Sequence, residues 1–162
     1  MTSHSGEGVA ADRFQAVLES IPGLVVYLDL VQPDNPNESL PLYISPQIEN
    51  LLGYELAAWL NEDELWLDVL HPDDRDRCAA ADAEARANLS ELYSEYRMIH
   101  KDGHVVWVSE HAAVGRDEAT GLLYWQGVMV DISERKNAEN ALAASASSAR
   151  LRSLMSTITP CQ

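Results

Sequence analysis

The chain has 162 residues, 46% of them apolar, enough for one ordinary domain with a real core and short appendages. Its net charge is −15, and the four basic and two acidic residues after Ser133 leave −17 on residues 1–133; such a surface aids solubility, repels phosphate backbones and argues against nucleic-acid or membrane partners. No apolar run spans a bilayer, MTSHSGEGVA lacks a signal-peptide core, and the distant Cys78 and Cys161 suggest no disulfide framework, so a cytoplasmic setting is expected.

Residues 1–8, MTSHSGEG, are polar and read as a disordered end. Ala10, Phe14, Val17, Leu18 and Ile21 recur at helical spacing, so residues 9–23 form a flanking helix that Pro22-Gly23 closes. LVVYLDL (24–30) and LPLYIS (40–45) read as strands, with VQPDNPNES as a loop between them. Ser45 is placed to cap a short helix with Pro46 at its start, Ile48, Leu51 and Leu52 inside, and Gly53 at its end. ELAAWLNEDELWLDVL (55–70) is helical in pattern, with a break near Asn61.

HPDDR (71–75) reads as a turn in which Asp73 or Asp74 caps the lightly packed, Ala-rich helix DRDRCAAADAEARANL (74–89). LYSEYRMIH (92–100), HVVWVSEHAAV (104–114) and LLYWQGVMVDI (122–132) are three long strands. KDG (101–103) joins the first two, its Gly103 suited to a hairpin, and GRDEATG (115–121) makes the next turn. The tail SERKNAENALAASASSARLRSLM lacks Pro and Gly and reads as a connecting helix.

His100 and His104 are four apart, a spacing that on a helix would turn both imidazoles toward a metal. The hairpin puts them instead on opposite sides of a turn. With His111 too far along the outgoing strand to supply a third donor, they read as exposed histidines and no metal is expected.

The order helix, two strands, short helices, three strands and exit helix is α+β. YISPQIENLLGY (43–54), LHPDDR (70–75), EYRMIHKDGHVVWV (95–108) and GVMVDISERK (127–136) follow one another as in a PAS domain, which the chain resembles from about Arg13 to Glu139. The bacterial PAS/PAC type of signalling proteins is the nearest in pattern. The resemblance implies a five-stranded antiparallel sheet, covered on one face by short helices and flanked by an N- and a C-terminal helix. It places the PAS core at 24–133 and the connecting helix at 134–162.

PAS domains sense a ligand, cofactor or partner and act on an effector, so cofactor-binding subfamilies provide a comparison. Light-oxygen-voltage domains carry a reactive cysteine after the Gly-Tyr pair, but after Gly53-Tyr54 none occurs before Cys78. Met98, Val108 and Met129 stand where flavin-contacting polar side chains are found, and they offer an isoalloxazine edge little. The helix that commonly carries a heme-ligating His has none; Cys78 and the nearby His71 are the alternatives, and Cys78 reads better as a small core residue. Flavin and heme are both disfavoured.

On the alternating pattern Tyr96, Met98, Val106 and Val108 share a face across the hairpin, and Met129 alternates with Val128 and Val130. With Leu52, Trp66 and Leu70 from the helices they can line a pocket for a small apolar ligand, or simply fill the core, since no convergent polar set is visible. No phosphate loop, nucleophile elbow, or kinase or cyclase motif is present, so no enzyme is expected in this chain. Glu62-Asp63-Glu64 and Asp73-Asp74 read as solvated carboxylates.

Asp131-Ile132-Ser133 matches the Asp-Ile-Thr handover of PAS domains, and Asp131 can pair with Arg135, Arg97 or Arg13. Its oxygens and those of Ser133 suit a helix start, with Ile132 packing back. RLRSLMSTI (150–158) resembles RFQAVLESI (13–21), as though the tail begins a second such unit. The flanking helix either covers its own domain or pairs with a second copy. The expectation is a sensory module for a linked effector, of histidine kinase or diguanylate cyclase type, with a ligand-free dimerisation module and an enzyme with an unrecognised site as alternatives.

Overall fold

The computed structural model describes residues 13–32, 35–61 and 65–156, with the backbone alone for 36–38 and 151–156. The expected disordered segment 1–8, Glu62-Asp63-Glu64 and the end of the tail repeat lie outside the described residues, and the repeat's side chains from Leu151 on are likewise not described.

Five strands, β1 (Leu24–Gln32), β2 (Asn35–Ile44), β3 (Leu92–Ile99), β4 (Val105–Arg116) and β5 (Leu123–Asp131), form one antiparallel sheet in the order β2-β1-β5-β4-β3. Helix α1 covers 13–19 of the described residues. Between β2 and β3 lie α2 (Gln47–Leu52), α3 (Leu56–Asn61), α4 (Leu65–Val69) and α5 (Pro72–Asn88). β2 starts well before the expected Leu40, taking in a stretch read as loop from its Pro and Asn content. As an edge strand it tolerates Pro36 and Pro41, and its pairing with β1 shifts register at Leu28/Asp29 and Val31/Gln32.

The hairpin fixes the register of the core. Tyr96 faces Val108 and Met98 faces Val106, all four buried, while Val25, Trp125 and Met129 continue the same face across β1 and β5. Ile48 and Leu52 of α2, Trp59 of α3 and Leu70 pack on that face, so one buried layer joins sheet and helices.

Two caps differ from the expected ones. The Ser45 hydroxyl accepts from Val26 N (3.0 Å) on β1, and Pro46 stands at the N-cap of α2 without a side-chain bond. At α5 the cap is His71, whose Nδ1 accepts from Asp73 N (3.2 Å), with Pro72 in the first turn. Pro72 has no N–H to donate, so a cap at the residue before it leaves fewer free donors at the helix start.

Asp74 is thereby released for another task. Buried rather than solvated, it accepts from Arg97 Nε (2.8 Å), Nη2 (3.0 Å) and N (3.0 Å), clamping α5 to β3. This geometry holds the carboxyl down to about 2, chiefly through the Arg97 side-chain bonds. It also commits the Arg97 guanidinium to α5 rather than to Asp131.

The apolar stripe of α1 does not cover its own domain: Phe14 is 67% and Val17 58% exposed. The helix is held by polar contacts instead, Tyr43 Oη to Glu19 Oε1 (3.0 Å) and Gln47 Nε2 to the Leu18 carbonyl (3.2 Å).

The chain divides into two compact units after Asp131. The second contains α6 (Ser133–Ser156), whose first turn closes with Lys136 N on the Ile132 carbonyl (2.9 Å) and carries an Arg135–Glu139 pair at 2.8 Å. Among the described residues no helix is long and apolar enough to cross a membrane.

Candidate functional site

β1, β2, α3, α4, α5 and the inner face of the sheet surround a cavity of about 590 Å³. Tyr43, Trp59, Trp66 and Trp125 give it aromatic walls, and Met129 lies among them. Its floor is polar, because Glu110 shares the inward face of β4 with Val106, Val108 and Ala112.

Glu110 is 4% exposed. One carboxylate oxygen accepts from Tyr27 Oη (2.5 Å) and the other from Tyr96 Oη (3.0 Å). Tyr27 reaches it from β1 across the intervening β5, where it pairs with Gly127. A Cβ at Gly127 would lie 2.7 Å from the Tyr27 hydroxyl and 2.7 Å from the His111 carbonyl oxygen, so only glycine leaves the phenol its path. Tyr96 in turn accepts from Trp66 Nε1 (3.3 Å), whose ring meets it edge-on. Burial raises the Glu110 carboxyl, against the lowering effect of both phenols, and burial with the Glu110 charge raises both phenols well above their ordinary value.

A second polar group comes from α5 and β1. Arg86 donates Nε to Asp82 Oδ2 (2.8 Å), one turn back on the helix, and lies 4.0 Å from Asp29 Oδ2. Its guanidinium carbon sits 4.9 Å from the centroid of the Trp125 ring. Asp29 also accepts from Ser39 Oγ (3.2 Å). Burial pushes Asp29 up to about 6 and raises Asp82, only partly opposed by Arg86.

The expected apolar pocket residues divide between two places. Trp66 and Met129 line the cavity. Leu52, Leu70, Met98, Val106 and Val108 are packed in the core away from it, and Tyr96 contributes through its hydroxyl to Glu110. The expectation that no polar set converges here is corrected by Tyr27, Asp29, Asp82, Arg86 and Glu110, which meet only in three dimensions. Strand alternation nonetheless marks Glu110 and Tyr27 as inward-facing, and the 78, 82, 86 spacing marks the matching face of α5.

A flavin fits these residues poorly, since Met98 and Val108 are packed and apolar. Heme ligation also fits poorly: the Cys78 thiol is raised by burial, and His71 is occupied as a helix cap.

Asp131 ends β5, where its N–H donates to the Gly23 carbonyl (3.1 Å); Ile132 and Ser133 open the second unit. At the hairpin, His100 and His104 stack at 4.3 Å across the turn. The sequence reading missed Asp102 between them: its Oδ1 lies 3.0 Å from His100 Nδ1 and 2.5 Å from His104 Nδ1. The three donors fall within 4.8 Å of one another. The cluster serves the turn, because Asp102 Oδ1 accepts from His104 N (3.1 Å) and Lys101 N donates to the Leu52 carbonyl (2.9 Å).

Asp29 and Asp74 give stability a two-sided pH dependence. Asp29 is raised on folding, so its neutral form stabilises below about pH 4, and that contribution is lost as pH rises through about 6. Asp74 is lowered, so its contribution is present above about pH 4 and lost as pH falls toward 2. Urea unfolding from pH 2 to 8 should show maximal stability near pH 4–5. Asp29→Asn should flatten the upper limb by about 3 kcal/mol; an unchanged upper limb in that variant contradicts the buried placement of Asp29.

A family model of the PAS fold matches residues 41–129, more than half of the chain. Over 120 residues the chain is 29% identical to a methyl sulfide methyltransferase-associated sensor of Methanosarcina acetivorans, covering 74% of this chain but only 12% of that protein. The N-terminal domain of a Marinobacter aquaeolei diguanylate cyclase with PAS/PAC sensor superposes with a TM-score of 0.60 at 27% identity, covering 70% of this chain and 98% of that one. A sensory box histidine kinase/response regulator structure from Burkholderia thailandensis gives 0.60 at 25% identity, over 85% of this chain and 98% of that one. Family match, sheet order and helical cover agree: the chain belongs to the PAS family of sensor domains.

Proposed function

We propose that this domain is a sensory module that takes a small molecule into the cavity between sheet and helices. Its bound state is then passed through the flanking helices to a linked effector of histidine kinase or diguanylate cyclase type. The observation that carries the reading is the cavity itself, about 590 Å³ bounded by aromatic rings and a hydrogen-bonded polar floor. The similar structures from a diguanylate cyclase and a histidine kinase support the effector classes. The chain spans about a tenth of the length of the Methanosarcina sensor, so in this reading the effector lies elsewhere in a longer protein.

A second reading, a ligand-free dimerisation module, draws on the exposed Phe14 and Val17 of α1. Native and denatured mass spectra of freshly purified protein separate the two. The sensory reading expects extra mass that denaturation releases. Bare-mass protein after gentle extraction from several hosts, forming a dimer that Val17→Asp splits, favours the second.

Asp131, Ile132 and Ser133 are the proposed handover, because β5 of the cavity wall ends there and a separate unit begins. In a protein carrying the effector, Asp131→Ala should leave the circular dichroism spectrum intact and abolish the response of output to stimulus. A normal response rules this handover out.

A further inference from the structure

The β3–β4 turn brings together His100, Asp102 and His104. Among the described residues they are the one group of three His, Cys, Asp or Glu side chains whose donor atoms all fall within 4.8 Å of one another. Two stacked imidazoles, 23° from parallel, flank a carboxylate oxygen that lies 3.0 Å from His100 Nδ1 and 2.5 Å from His104 Nδ1. Two nitrogens and one oxygen are a donor set that suits zinc, with solvent completing a tetrahedral site.

The hairpin backbone holds this group in place. His100 N donates to the His104 carbonyl (2.9 Å), Gly103 N to the His100 carbonyl (2.8 Å), and Lys101 N to the Leu52 carbonyl (2.9 Å), which seats the turn on the end of α2. The His100 ring rests against Gly53, where a Cβ would come within 2.6 Å of its Nε2. That side chain is only 20% exposed and keeps Nδ1 beside the carboxylate. Asp102 and His104 are open, at 65% and 56%, so an ion can enter from solvent and the His104 ring is able to move to meet it.

Tetrahedral ligands about 2.0–2.2 Å from zinc stand about 3.3 Å apart. The His100–Asp102 spacing is already close to that, and His104 must open by roughly 0.8 Å. At their present spacing His104 Nδ1 and Asp102 Oδ1 share a proton, which the ion displaces on binding. His100 Nδ1 gives up its bond from Asp102 N (3.2 Å), an exposed N–H that water can serve. The carboxylate keeps its bond from His104 N (3.1 Å) and has further lone pairs for the ion. The net charge of −15 favours a cation's approach, and Lys101, the cation of the same turn, is exposed.

We propose that His100, Asp102 and His104 form a zinc-binding site on the β3–β4 turn, with water in the remaining position. The site is separate from the cavity and does not depend on how the cavity is read. Asp102 supplies the third donor that His111 is too distant to provide.

The test titrates zinc chloride into chelator-stripped, nitrogen-15-labelled protein. Backbone amide signals of residues 99–105 are followed, and calorimetry gives affinity and stoichiometry. One equivalent at micromolar zinc should shift the Lys101, Asp102, Gly103 and His104 amides and leave the tryptophan indole signals in place. His104→Ala and Asp102→Asn should each weaken binding at the turn by at least about tenfold, whereas His111→Ala should change nothing. Millimolar magnesium, which prefers oxygen ligands and keeps its waters, should leave these amides unmoved.

Zinc that leaves the turn amides unmoved, saturates them only at millimolar concentration, or binds both ligand variants as tightly as the wild type overturns the site. The turn amides decide rather than the heat alone, because Cys78, Cys161 and the other histidines can also take up zinc. The wild-type titration reads the proposal even if a variant fails to fold.

Discussion

One buried carboxylate organises this domain. Glu110 lies on the inner face of β4, and removing a charged carboxylate from water without partners would cost several kcal/mol. Two phenols offset that cost, one from β3 beside it and one from β1 across the width of β5. Gly127 is the condition for the second, because a side chain there would occupy the space of the Tyr27 hydroxyl. The node thus couples four strands of the sheet at the floor of the cavity, in a region where apolar side chains alone would have closed over it.

The remaining elements divide according to their distance from this node. On one side, Leu70, Met98, Val106 and Val108 form dry packing, tightened by the Asp74–Arg97 clamp between α5 and β3. On the other, β2 is an irregular edge strand with two register shifts, and the short α3 and α4 meet it with aromatic side chains rather than a continuous helix face. Close packing requires regular, interdigitating surfaces. Where the backbone is irregular and Arg86 must remain near Asp29 and Asp82, a cavity remains.

Much of the fold was legible because it rests on local periodicity. Strands β3, β4 and β5, the KDG turn and the break near Asn61 follow directly from alternation, glycine placement and helical spacing. The start of β2 was not legible, since Pro36 and the Asn residues around it signal a loop unless the strand is known to lie at an edge. The site was harder for a different reason. Its polar residues come from positions 27, 29, 82, 86 and 110, and nothing in the linear sequence says that these inward faces coincide. Strand alternation and helical spacing find the buried face but do not distinguish packed core from cavity wall. Asp102 was overlooked because it sits inside the turn that separates the two histidines, where a donor is close only after the chain has reversed.

The central claim is that Glu110 is a buried, phenol-bound carboxyl at the floor of the cavity between sheet and helices. Carbon-13 NMR of the Glu110 side-chain carboxyl, followed through pH, tests it most directly. The account predicts a midpoint displaced above the ordinary carboxylate range, because burial outweighs the two phenol hydrogen bonds. A midpoint at the ordinary glutamate value of about 4.3 would contradict the account in which burial outweighs the two phenol bonds.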